Sequence, residues 1–177
     1  IYGSVNHCGG CNISCLALGF ANAAPTCDLS GPIPQCTYTC TPPFQDVNGN
    51  PNDGCECAPQ GDEDLAGDGS DANCDGIDGD IAQGVFIAKN GSDAGTGSID
   101  DPLLTIGAGL SKAAEAGKRD VYVATGVYNE SVDLEDGVGL FGGYSSDFKS
   151  RDVVLFETAI LGLDPTEDSP GAVNGVN

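Results

Sequence analysis

All nine cysteines of this 177-residue chain fall at positions 8, 11, 15, 27, 36, 40, 55, 57 and 74, and none follows. That confinement divides the chain. Residues 1–80 hold every cysteine and the one histidine, with twelve acidic groups and no basic one; residues 81–177 hold all six basic groups and the apolar, strand-like runs. The first region is too small and too poor in large apolar side chains to be held by a hydrophobic core alone, so crosslinks or metal must substitute for burial. Disulfides typically contribute roughly 2–4 kcal/mol each. Their use points to an oxidising, extracellular setting. Connectivity is not readable from the spacing. The odd count leaves three alternatives open: a thiol, a partner in further sequence, or a bond between subunits. The run His7-Cys8-Gly9-Gly10-Cys11-Asn12-Ile13-Ser14-Cys15 also has zinc or iron–sulfur spacing. The other cysteines lack a matching CxxC pair, and an exported chain meets oxidant before soft metal, which favours disulfides. His7 is expected at the surface.

The stretch Gly61–Asp80, GDEDLAGDGSDANCDGIDGD, places eight carboxylates in twenty residues, and no lysine or arginine precedes Lys89. Carboxylates fixed side by side repel one another by several kcal/mol at short range unless cations sit between them. Oxygen ligands one to three residues apart, interleaved with glycines, suit a Ca²⁺ ion that takes six to eight oxygens. The expected ligands are Asp62, Asp64, Asp68, Asp71, Asn73, Asp75, Asp78 and Asp80. An acidic linker without fixed structure is the plainer reading; Cys74, Leu65 and Ile77 argue for an anchored loop.

A second candidate is Asp46–Glu56, with oxygen side chains at Asp46, Asn48, Asn50 and Asp53. The first three match the opening ligand positions of an EF-hand loop, but Pro51 replaces the turn glycine and Cys57 stands where the bidentate glutamate belongs. The segment reads as an Asx-rich turn clamped by Cys55 and Cys57. The patterns DxD, DG and DxNCDG of the longer segment resemble the calcium repeats of thrombospondin type 3 and related bacterial extracellular proteins. That resemblance implies aspartate oxygens around calcium, and disulfides holding loops of little regular structure. CGGCNISC followed by spaced cysteines and DVNGNPNDGCEC resembles cysteine-rich modules of large secreted myxobacterial proteins, which implies export and supplies no catalytic residue.

From Gly84 the pattern changes. Val85–Ala88 predicts a strand, Lys89–Ser98 a polar turn, and Leu103–Ala116, with Leu103, Ile106, Leu110 and Ala113 or Ala114 at helical spacing before Gly117, an amphipathic helix. Further strands are predicted at 121–124, 131–134, 138–141, 153–156 and 159–163. The order VFIAKNGSDAGTGSIDDPLLTIGAGLSKAAEAGKRDVYVATGVYNESVDLEDGVGLFGGYS resembles the opening of right-handed parallel β-helix proteins. The resemblance implies a cap and about two or three rungs; an ordinary α+β domain is the alternative. The expected organisation is a cysteine-rich disulfide module at 1–60, a calcium-binding segment at 61–80 and a β-helix cap with first coils at 81–177. The fold class is mostly β, a disulfide-rich irregular module followed by the capped start of a parallel β-helix. The tail 163–177 reads as a loop, a linker or an extended arm.

The formal charge of −21 excludes nucleic acid as a partner and sets the chain against anionic membrane surfaces. No transmembrane run or signal peptide is visible, from which a removed leader or upstream sequence is expected. The features together favour a calcium-stabilised extracellular structural protein, an adhesin or a self-assembling fibre or matrix subunit, in which calcium bridges the aspartates and locks module to solenoid. A polysaccharide-active lyase or hydrolase is an alternative, but Lys89, Lys112, Lys118, Arg119, Lys149 and Arg151 are scattered, and Asp100/Asp101 or Glu135/Asp136 read as solvated turn pairs. A carbohydrate-binding module is the third class, with Tyr122, Tyr128, Phe141, Tyr144 and Phe148 available to line a surface for extracellular polysaccharide.

Overall fold

The computed structural model describes residues 3–50 and 52–162 and the backbone of 173–175. Two compact units divide it, one formed by Ile1–Asp62 and Asp71–Gly76, the other by Glu63–Ser70 and Ile77–Asn177. The aspartate-rich stretch is therefore shared between the units. Pro51 and most of the tail 163–177 lie outside the described residues.

In the first unit, β1 (Gly3–Ser4) pairs antiparallel with β2 (His7–Cys8), and β3 (Ala23–Asp28) with β4 (Gln35–Cys40), the latter over six residue pairs that place Cys27 opposite Cys36. A 3₁₀ turn, Cys15–Leu18, lies between the hairpins in sequence. Four disulfides join Cys8 to Cys27, Cys15 to Cys36, Cys40 to Cys55 and Cys57 to Cys74. Cys11 is exposed and outside them, and His7 is exposed as expected. Among the described residues of this unit the buried hydrophobic ones are Cys8, Cys15 and Cys55, so its interior is cystine. Crosslinks closing loops of this length, each worth about 3 kcal/mol, replace an apolar core. Gly54 is buried at φ +96°, and a Cβ there would stand 2.4 Å from the Ala21 carbonyl oxygen, so only glycine admits the adjoining crosslink at Cys55.

The second unit is built on a parallel sheet ordered β5 (Gly84–Ile87), β6 (Asp120–Ala124), β9 (Gly139–Tyr144). Between these strands lie α1 (Ile106–Ala116), β7 (Gly126–Asn129) and β8 (Val132–Leu134). Two later strands follow, β10 (Thr158–Leu161) pairing parallel with β7 and β11 (Val173–Gly175) pairing parallel with β8. The fold is thus mostly β with little helix; the sheets are small and unclosed, and a parallel β-helix is not shown by them.

The alternation of β5 and β6 explains why both are buried throughout. Val85, Ile87, Val121 and Val123 join a core with Leu103, Ile106, Leu110 and Ala113, whereas Phe86, Ala88, Tyr122 and Ala124 join a second with Ile77, Tyr144 and Phe148. Burying each large side chain contributes about 1.5–3 kcal/mol. α1 packs close: a Cβ at Gly109 would meet Ile87 Cδ1 at 2.3 Å. The helix begins three residues later than its periodicity predicts, because Leu103 bridges Ile87 and Thr105 caps, its Oγ1 accepting from Ala108 N. The run 153–156 is not a strand. Asp152 Oδ1 accepts from the amides of Val154 and Leu155, and Phe156 N donates to the Asp152 carbonyl, which curls those donors into a turn and leaves Val153, Val154 and Leu155 exposed.

Two acidic side chains organise the helix entry. Glu130 Oε1 and Oε2 accept from the amides of Ile106 and Gly107, each at 3.0 Å, satisfying donors that an α-helix leaves unpaired. Glu130→Ala is expected to lower unfolding free energy by about 1–3 kcal/mol in urea denaturation, with Glu130→Gln losing less. Asp93 receives the amides of Leu104 and Thr105 and the Thr105 hydroxyl. Burial opposes its ionised form, but those donors outweigh it and hold its pKa below the ordinary aspartate value. A lowered folded pKa gives stability that is present above about pH 4 and lost as pH falls through the folded value. Asp93→Asn should therefore lose stability at neutral pH and show a smaller further loss on acidification, read from urea midpoints across that range.

Candidate functional site

In the first unit, Asp46–Glu56 draws its oxygen side chains into one exposed cluster. Asp46 Oδ1 accepts from Gly49 N at 2.8 Å and Oδ2 from the Tyr38 hydroxyl at 2.6 Å. Asn48 Oδ1 accepts from Asn50 N, and Asn50 Oδ1 from Asn52 N. The amide nitrogens of Asn48 and Asn50 both donate to Asp53 Oδ2, at 3.2 and 2.7 Å. Glu56 Oε1 closes the loop by accepting from Val47 N and Asn48 N at 3.1 and 2.9 Å. Disulfides at Cys55 and Cys57 and a bridge between Gln45 and Cys57 clamp it.

The acidic side chains of the loop offer oxygen, the ligand atom of hard cations, although among the described residues no three carboxylates converge within 4.8 Å of one another. Asp46, Asp53 and Glu56 supply carboxylate oxygens, and a half-turn of each asparagine amide would present oxygen toward Asp53 in place of nitrogen. Without a cation such a rotation sets oxygen against oxygen. Glu56 and Tyr38 were not among the ligands expected; Glu56 was legible as a carboxylate inside the segment, whereas Tyr38 enters only because β4 carries it to Asp46. Hydrogen bonding to Asp46, then burial and the charges of Asp46, Asp53 and Glu56, push the Tyr38 phenol up to about 12.

The Asp71–Gly76 piece is a tight Asx turn. Asp71 accepts from the amides of Asp75 and Gly76, Asn73 Oδ1 also accepts from Asp75 N, and Asn73 Nδ2 donates to Asp75 Oδ2 at 3.1 Å. Cys74, at φ +61°, ties the turn to Cys57. Asp62 is exposed.

The remaining aspartates belong to the second unit and meet protein donors. Asp64 is buried, its Oδ2 accepting from Gly79 N at 3.0 Å and its carbonyl from Arg119 Nη2 at 2.8 Å. Asp68 accepts from Ser70 N. Asp78 accepts from Gly67 N at 2.8 Å and pairs with Arg151 at 3.5 Å, while its carbonyl receives the Tyr144 hydroxyl. Asp80 caps the following 3₁₀ turn through Ala82 N, and its own amide donates to Tyr122 Oη at 2.8 Å. Tyr122 in turn donates to Asp120, which pairs with Arg119 at 2.8 Å. Part of the cation requirement read from the isolated stretch is thus met by Arg151 through Asp78, while Arg119 reaches the stretch through the Asp64 carbonyl, and both are distant in sequence. Their roles had no local signal.

The aromatic residues expected to line a sugar surface are mostly interior. Tyr122, Tyr128, Tyr144 and Phe148 are buried and Phe141 is half-buried, with Phe86 and Phe148 in edge-to-face contact at 4.9 Å. Desolvation by burial raises the pKa of Tyr122 and Tyr144, so both stay neutral donors. No family model matches the chain, and no curated protein or solved structure matches it. Asp46→Asn should move the Tyr38 pKa from about 12 toward the ordinary tyrosine value in an ultraviolet titration, leaving the buried tyrosines unmoved.

Proposed function

We propose that this chain is a calcium-stabilised extracellular structural protein, a cell-surface adhesin or a subunit of a fibre or matrix. In this reading a cysteine-rich module precedes the capped first coils of a right-handed parallel β-helix. The observation that carries it is the Asp46–Glu56 loop, where three carboxylates and two amides share one disulfide-clamped turn in a chain of charge −21. Calcium relieves the repulsion among those oxygens. The Asp71–Asp75 turn offers a second, smaller oxygen set within the same unit.

Strand order supports the solenoid. The sequence β6, β7, β8 is answered by parallel partners β9, β10, β11 in the same order, as successive turns of a coil would pair. Partners lie 19 residues apart at Asp120 and Gly139, 32 at Gly126 and Thr158, and 41 at Val132 and Val173. Among the described residues β9, β10 and β11 are each edge strands of their sheets. A further coil, from the same chain or from another copy, would pair there, which supports self-assembly.

Calcium at about 100 times its dissociation constant adds about 2.7 kcal/mol per independent site. Melting in millimolar calcium is expected to exceed melting in EDTA, and Asp46→Asn/Asp53→Asn to remove most of the difference. Sedimentation velocity should show large species with calcium that dissociate on chelation. Identical melting in EDTA would overturn the calcium reading, and a monomer under both conditions would overturn assembly.

A further inference from the structure

In the second unit, the loop 96–100, the 3₁₀ turn Ile81–Gln83 and the end of α1 border a cleft of about 430 Å³. Small-molecule sites commonly measure about 300–1,000 Å³. Its apolar wall is Ile81, Val85, Phe86, Ile99 and Ala116. The loop is fastened in place: Phe86 N donates to the Gly97 carbonyl at 2.9 Å, Gly97 N to the Asp101 carbonyl at 2.9 Å and Thr96 N to Asp101 Oδ2 at 2.8 Å. A cleft held this way is preformed, which lowers the ordering cost of binding.

Two of the six basic side chains of the chain, Lys112 and Lys118, line this cleft, and both are half-buried. The Lys112 stem crosses Gly97, where a Cβ would meet its Cδ at 3.2 Å, and its ammonium donates to the Gly95 carbonyl at 3.3 Å. The Lys118 ammonium donates to the Ala82 carbonyl. Each ammonium carries three donors, and a neutral carbonyl leaves its charge uncompensated. Among the described residues the ion pairs are Arg119 with Asp120 and Arg151 with Asp78. Despite 27 acidic groups in the chain, neither lysine of the cleft is ion-paired among the described residues. Asp100 is the one acidic residue of the lining, and it is exposed. Thr96 and Ser98 add two hydroxyls, 3.0 Å apart.

We propose that this cleft binds a small organic monocarboxylate with an apolar body, its carboxylate held by Lys112 and Lys118 and its body laid against the wall formed by Ile99 and Phe86. The two ammonium groups supply charge-assisted donors, and the hydroxyls of Thr96 and Ser98 supply neutral ones. Apolar surface with a few convergent polar groups is the usual make-up of a small-molecule site. A single negative charge suits the surroundings, because a ligand of higher charge meets more repulsion from Asp100 and from a chain of net charge −21. The site is independent of the calcium reading, since its lining belongs wholly to the second unit and contains none of the Asp46–Glu56 oxygens.

The test titrates the whole chain, stripped of metal on a chelating resin, with hexanoate and with hexanol as the neutral control, following backbone amide shifts by nuclear magnetic resonance. Salt at about 0.15 M screens the long-range repulsion. Saturable shifts confined to residues 81–86, 96–100 and 112–118 are expected, with hexanoate bound at least roughly tenfold more tightly than hexanol, the size of one charge-assisted hydrogen bond. Lys112→Met and Lys118→Met keep the apolar stems and should each weaken hexanoate, and not hexanol, by a similar factor. Asp100→Asn should tighten it. No saturable shift up to about 10 mM hexanoate, shifts centred elsewhere, hexanol binding as tightly, or unchanged affinity in both lysine variants would overturn the site. The shift map and the hexanol comparison use the unaltered sequence, so they decide the matter even where a variant does not fold.

Discussion

With 27 acidic groups and six basic ones, the chain cannot pair most of its carboxylates with side-chain cations, and backbone N–H groups take that role in both units. Asp46, Glu56 and Asp71 fold their own loops by accepting from amides three to nine residues away. Asp64, Asp78, Asp93 and Glu130 reach farther and fasten one segment to another. Hydrogen bonds to an ionised acceptor are worth more than neutral ones, roughly 1.5–3 kcal/mol each. Acidity in this protein is thus a structural device before it is a ligand set, and every cation proposed for it must compete with donors already in place.

The two units answer the cost of chain ordering differently. The first has cystine where a larger domain would have leucine and phenylalanine, and its hairpins and turns are fixed by covalent closure. The second buries both faces of one short parallel sheet, against α1 on one side and an aromatic cluster on the other. Tyr122 and Tyr144 connect that cluster to the aspartate loops, since each buries its ring and spends its hydroxyl on the backbone at Asp80 or Asp78.

Legibility followed the range of the interaction concerned. Strands β5, β6, β8 and β9, the helix and its end at Gly117 were visible because apolar periodicity and a left-handed glycine cap are local properties. The run 153–156 had the composition of a strand, but Asp152 captured its amides before any ladder did. The Asx character of the Asp46 loop was legible from spacing alone. Its contact with Tyr38 was not, nor was the pairing of Asp78 with Arg151, because each depends on a register or crossing that no local pattern encodes.

Composition determined that the first eighty residues must be held by crosslinks or metal, that the chain is strongly anionic, and that its second half carries apolar runs of strand length. Those properties follow from residue identity and near-neighbour spacing, which the chain carries unfolded. Tertiary structure decided which cysteines join, which aspartates are buried against arginines and amides, and which remain grouped at the surface. Those choices turn on distances between residues far apart in sequence, and only the burial of both sheet faces and the closure of the disulfides set them.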